Sequence, residues 1–170
     1  MPEVSQSPPV EAYDIFISYS MDPDYPLSRR IENFLESFHK LDVPNDIKLK
    51  PLVVCRDSSD FSLHKVRKDA SDKQQADDYV QQVLVEYLQR SEYLLVLCSP
   101  NAVQSRYVNF ELNWFIQNKG IDKVLVAVTH GADLSGDMQQ FFPGAIIENN
   151  LHSRIYYDFR GFKKESKSRI

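Results

Sequence analysis

Residues 93–99, YLLVLCS, run directly into residues 100–120, PNAVQSRYVNFELNWFIQNKG. The first segment is apolar almost without interruption, the pattern of a strand whose two faces are both covered. The second sets Val108, Leu112, Phe115 and Ile116 on one helical stripe, with Pro100 suited to a first helical position and Gly120 to a stop. A doubly covered strand followed at once by an amphipathic helix is one βα unit of a parallel sheet.

The same unit recurs on both sides. YDIFIS (13–18) precedes YPLSRRIENFLESFHKL (25–41), where Leu27, Ile31, Phe34, Leu35, Phe38 and Leu41 keep helical spacing. LKPLVVC (49–55) precedes ADDYVQQVLVEYLQRS (76–91), with Val80, Val83, Leu84, Tyr87 and Leu88 on its stripe. KVLVAVT (123–129) and RIYYDF (154–159) supply a fourth and a fifth strand. The alternation predicts an α/β, three-layer, flavodoxin-like fold: a five-stranded parallel sheet in the order 2-1-3-4-5, joined by right-handed crossovers, with helices on both faces. Ligands of such sheets bind beyond the carboxyl ends of the strands at the switch point, here between strands 1 and 3. That nominates the loops SYSMDPDY (18–25) and CSPNAVQS (98–105). Two connections are long: the charged RDSSDFSLHKVRKDASDKQQ (56–75), and 130–153, with a short helix expected near MQQFF (138–142).

A chain of 170 residues suits one domain, placed at 12–160, with an acidic, Pro-rich arm at 1–11 and a basic tail or linker at 161–170. Hydrophobic residues at 42% and charged residues at 26% are ordinary globular values. A net charge of −4 provides no long-range attraction for nucleic acid or an acidic membrane. Cys55 and Cys98 each end an apolar run and read as buried free thiols, while His39, His64, His130 and His152 are too scattered to suggest a metal site. The amino terminus has no basic start followed by an apolar stretch, so a cytoplasmic location is expected.

Most familiar chemistry is missing. Five glycines form neither GxGxxG nor GxxxxGK[ST], there is no GxSxG elbow, and Cys98-Ser99 stands where a phospho-acceptor aspartate would end strand 3. Glu111 remains. Periodicity sets it at the edge of the buried stripe, with Tyr107 four residues before and Trp114 three after, and glutamates at stripe edges are mostly solvated.

Taken together, YDIFISYS, CRD, SEYLLVLCSPNAVQSRYVNFEL and YYDFR resemble a TIR domain, over about residues 12–160 and most closely of the bacterial type. The resemblance implies a flavodoxin-like sheet, self-assembly through the loop after strand 2, and cleavage of NAD+ into nicotinamide and ADP-ribose or a cyclic form. The family's WVxxE block aligns with YVNFE, which puts Glu111 on the catalytic glutamate; Tyr107 replaces the usual tryptophan. Tyr19, Ser20, Arg56, Asp57 and Tyr107 are the expected substrate-binding residues. For Arg56 and Asp57 a local salt bridge is the competing reading, for Ser20 a turn hydrogen bond, and for Tyr107 plain packing. No cofactor or metal is implied, because NAD+ is the substrate. The expected partners are NAD+, other copies of the domain through loop 56–75, and a sensor domain or partner protein.

A single carboxylate suits this reaction. Nicotinamide leaves a pyridinium as a neutral base, so the acid of a two-carboxylate glycosidase is dispensable, and the positive charge that develops on the ribose is what needs stabilising. The rival expectation is a TIR–TIR interaction module without catalysis. A nucleoside deoxyribosyl-transfer enzyme of similar architecture fits SRYVNFEL less well.

Overall fold

Five parallel strands form the sheet in the computed structural model: β1 Tyr13–Ser18, β2 Val54–Arg56, β3 Ser91–Cys98, β4 Val124–Val128 and β5 Tyr157–Asp158. Their order is β2-β1-β3-β4-β5, as the alternation of strand and helix predicts. The described residues are 11–40, 49–56, 71–130, 138–153 and 157–160. The helices are α1 Met21–Ser37, α2 Lys73–Arg90, α3 Pro100–Gln104, α4 Arg106–Lys119 and α5 Gly144–Glu148. The expected short helix near MQQFF is a 3-10 turn at Met138–Gln140. The expected arm and tail, apart from Glu11, lie outside the described residues, as do 154–156 of the expected fifth strand.

Successive strand residues point to opposite faces. Phe16, Leu94, Val96 and Val126 meet Val80, Leu84 and Leu88 of α2 and Val108, Leu112 and Phe115 of α4 on one face. Ile17, Leu95, Leu97 and Ala127 face the other way, toward Ile31 and Leu35 of α1. Burying both sets explains why these strands read as continuous hydrophobic runs. Beside α1 an apolar groove of about 650 Å³ runs over the sheet, lined by Leu27, Ile31, Phe34, Leu95, Leu125 and Tyr157 among others. Phe34 on its wall is 59% exposed.

Among the boundaries that differ from the sequence reading, three have a plain local reason. β2 starts at Val54 instead of residue 49: the Asp14 carboxylate accepts the Val53 N–H at 2.8 Å, removing a ladder donor, and Pro51 has no N–H to give. The helix expected over 100–120 is two helices. Ser105 is extended (φ −70°, ψ 117°); it ends α3 and starts α4, its Oγ accepting the Val108 N–H at 3.3 Å. Gly120, at φ 93°, stops α4 where a left-handed residue is needed. The connection expected at 56–75 is shorter at both ends, since Arg56 belongs to β2 and Lys73 opens α2, whose Asp72 cap accepts from the Gln74 and Gln75 N–H groups. Residues 57–70, with Asp57, lie outside the described residues.

Both cysteines are buried thiols outside any disulfide. Burial, with the charge of Asp24 adding to it, pushes the Cys98 thiol far above its ordinary pKa, so little nucleophilic thiolate forms. Neither thiol of the folded protein therefore reacts with a soluble aromatic disulfide at pH 8, and both react after denaturation. Titration of either thiol in the native state would contradict the burial.

Candidate functional site

Glu111 occupies the second turn of α4, and there the structure corrects the stripe-edge reading. Val108, Glu111, Leu112 and Phe115 are the buried residues of this helix, and Ile116 is only half-buried. The Glu111 side chain is 4% exposed because the helix lies across the carboxyl end of β1. There the Ser18 Oγ donates a 2.5 Å hydrogen bond to Glu111 Oε2. A buried carboxylate is costly without such a donor, and the bond fixes its orientation. Ser18 was not among the expected site residues, since nothing in a sequence marks two residues 93 positions apart as partners.

A small cleft, about 40 Å³, opens beside this carboxylate. Tyr19 and Ser20 of the β1–α1 connection and Met21 at the start of α1 form one wall, Ser105, Tyr107 and Glu111 the other, and Ile17 lies between. Three of the expected binding residues thus gather around Glu111: Tyr19, Ser20 and Tyr107. Ser20 also makes the expected turn bond, its Oγ donating to the Asp22 carbonyl at 2.9 Å.

Arg56 does not line the cleft. It is 3% exposed and donates through Nε to Glu32 Oε2 at 2.8 Å, the local salt bridge that was its competing reading. Burial works against its charge, but the hydrogen bond and charge of Glu32, and then Tyr19, more than offset this and hold its pKa above the ordinary value. It reaches the cleft only indirectly, donating through Nη1 to the Tyr19 hydroxyl at 3.4 Å.

Tyr107 is positioned by Asp77, a buried residue of α2 that sequence reasoning missed. The Tyr107 hydroxyl donates to Asp77 Oδ1 at 2.8 Å, and Arg106 Nη1 donates to Oδ2 at 2.8 Å. Tyr107→Phe removes one acceptor–donor pair and leaves Arg106 in place, so a loss of about 1 kcal/mol in urea unfolding is expected. A stability unchanged by the variant would mean that the hydroxyl adds nothing to holding this wall.

A second polar cluster forms at the carboxyl end of β4. The Thr129 Oγ1 donates to Asp24 Oδ1 at 2.6 Å, and the His130 Nδ1 lies 3.1 Å from the same oxygen. Among the described residues no three His, Cys, Asp or Glu side chains gather as metal ligands. No helix among them is long and apolar enough to cross a membrane.

Residues 16–133 match the family model described as Thoeris protein ThsB, TIR-like domain. The match includes every residue named at the cleft and the Asp24 cluster. No curated protein matches the chain.

Proposed function

Because the chain belongs to the family of the TIR-like domain of the Thoeris protein ThsB, we propose that it is an NAD+ glycohydrolase, acting as an assembly-activated effector in bacterial antiphage defence. The observation that carries this reading is Glu111, a buried carboxylate held by Ser18 in a cleft with Tyr19, Ser20 and Tyr107 around it.

The reaction breaks the bond between the nicotinamide nitrogen and the ribose anomeric carbon. The electron pair leaves with nicotinamide, and the positive charge passes to the ribose ring. Glu111 stabilises that charge from a fixed, buried position, where little water is present to screen it. The Tyr107 ring offers a flat face to a planar base, while Tyr19 and Ser20 supply hydroxyls toward the sugar. Water then adds to the ribosyl carbon and releases a proton, giving ADP-ribose, or a nitrogen of the same molecule's adenine closes a cyclic product.

A dinucleotide needs more room than the cleft has. Ligand sites are typically roughly 300–1,000 Å³, so the 40 Å³ cleft must widen before NAD+ enters. Widening on association of several copies through the loop 56–75 fits an effector that is silent alone in the cytoplasm. NAD+ loss and nicotinamide release, followed chromatographically at high protein concentration with a crowding agent, test the reading. Absence of turnover even in assembled protein would transfer the assignment to a non-catalytic TIR–TIR interaction module.

A further inference from the structure

The two walls of the Glu111 cleft differ in how firmly they are held. The α4 wall is fixed by the Ser105 cap, by the clamp of Asp77 on Tyr107 and by the bond from Ser18. Across from it, Tyr19 is tied to Arg56, but Ser20, Met21 and Asp22 form the cap and kinked start of α1, with Met21 39% exposed. Asp22 is extended (φ −109°, ψ 124°), so this stretch is not yet continuous helix. Any widening of the cleft has to move Ser20 and Met21 first.

Two attachments restrain that stretch from outside. The Asn101 Nδ2, on α3, donates to the Asp22 carbonyl at 2.7 Å. Two residues on, Asp24 is anchored to β4 through Thr129 and His130. Asp24 also donates its N–H to the Ser20 carbonyl at 3.2 Å, which couples the anchor to the cleft wall. The anchor is itself incompletely satisfied: Asp24 is 0% exposed, Thr129 Oγ1 and His130 Nδ1 both converge on Oδ1, and Oδ2 is buried without a hydrogen-bond partner. A buried carboxylate oxygen left unpaired destabilises the arrangement that buries it, so the closed position is held but poised to release.

We propose that Asn101 and the Asp24–Thr129–His130 cluster form a latch on residues 20–22, and that release of this latch admits the ligand to Glu111. These are positioning residues; none of them lines the cleft. The direction of their effect follows from the closed form being the resting state. When only a fraction of molecules is competent to bind, apparent affinity falls by that fraction, and weakening the closed form restores it. Removing a latch contact therefore tightens ligand binding, the opposite of what loss of a merely structural bond does.

The statement about ligand entry rests on the NAD+ reading above; the latch itself does not. Amide hydrogen exchange is measured on the whole chain for wild type, Asn101→Ala and Thr129→Val, and ADP-ribose affinity is measured by calorimetry with each change placed on Glu111→Gln. Asn101 is exposed, so its variant folds even if the buried Thr129→Val does not. The expected outcome is exchange at least about tenfold faster at residues 20–22 with 107–112 unchanged, and a severalfold tighter Kd for ADP-ribose. Unchanged exchange at 20–22 in Asn101→Ala, or acceleration spread evenly over the domain, overturns the latch. Local acceleration with tighter binding supports both statements. Local acceleration with no ADP-ribose binding in any variant supports the latch and removes the dinucleotide from it.

Discussion

On the NAD+ glycohydrolase reading proposed above, Glu111→Gln is expected to slow nicotinamide release from NAD+ by about a hundred- to a thousand-fold, and Glu111→Ala by at least as much, while both proteins remain folded. The size follows from removing one preorganised electrostatic contact to a charge that exists only in the transition state, a loss of about 2.7–4 kcal/mol. The two substitutions separate charge from packing. Glutamine keeps the shape and still accepts the hydrogen bond of Ser18, whereas alanine leaves the buried Ser18 hydroxyl without this acceptor and opens a void. Alanine therefore also lowers stability, by about 1–3 kcal/mol, and only glutamine isolates the carboxylate. Circular dichroism and thermal melting, run beside the turnover assay, verify folding. Full turnover in a folded Glu111→Gln protein would sink the assignment, because an amide cannot stabilise a ribosyl cation as a carboxylate does.

Glu32→Ala destabilises the domain by roughly 3–5 kcal/mol, a large part of the roughly 5–15 kcal/mol typical of a whole domain. Arg56 is almost completely buried, and a guanidinium keeps its proton whether or not Glu32 is there. Deleting its carboxylate partner removes the ion pair and leaves a buried charge beside the Tyr19 hydroxyl and the rings of Tyr19 and Tyr25, 6.0 and 5.2 Å from the guanidinium carbon. Replacing both partners by apolar residues, Glu32→Leu with Arg56→Met, costs much less, since no charge is stranded. Urea unfolding of the three proteins gives the comparison. A single variant within about 1 kcal/mol of wild type would mean that water reaches Arg56 once Glu32 is gone, and would return Arg56 to consideration as a contact for the pyrophosphate.

The sheet was legible because each strand carries its own signature. The uninterrupted apolar runs of β3 and β4 announce burial on both faces, and the alternation with helices supplies the order. What escaped the sequence depends on pairs of elements. Helical periodicity puts Glu111 at a stripe edge because it is blind to β1 crossing above that edge with Ser18 at its end. Arg56 beyond a strand invites a phosphate, but Glu32, one helix away, claims it first. His130 looks isolated along the chain and is isolated only there, because Asp24 meets it from 106 positions earlier. The break at Ser105 was hidden for the opposite reason: a serine that caps one helix and ends another has no distinct composition, only a distinct conformation.

The central place of β1 in the sheet bears on how the chain is made. β1 is synthesised first, yet its partner in the middle of the sheet is β3, paired from Tyr13 with Ser91 to Ser18 with Val96. Ser91 follows Tyr13 by 78 positions. At roughly 5–20 residues per second, the ribosome takes about 4–16 s to cover that distance. For those seconds Phe16 and Ile17, fully buried at the end, belong to a strand with no sheet neighbour but β2, which is the interval in which chaperone capture competes with misassembly.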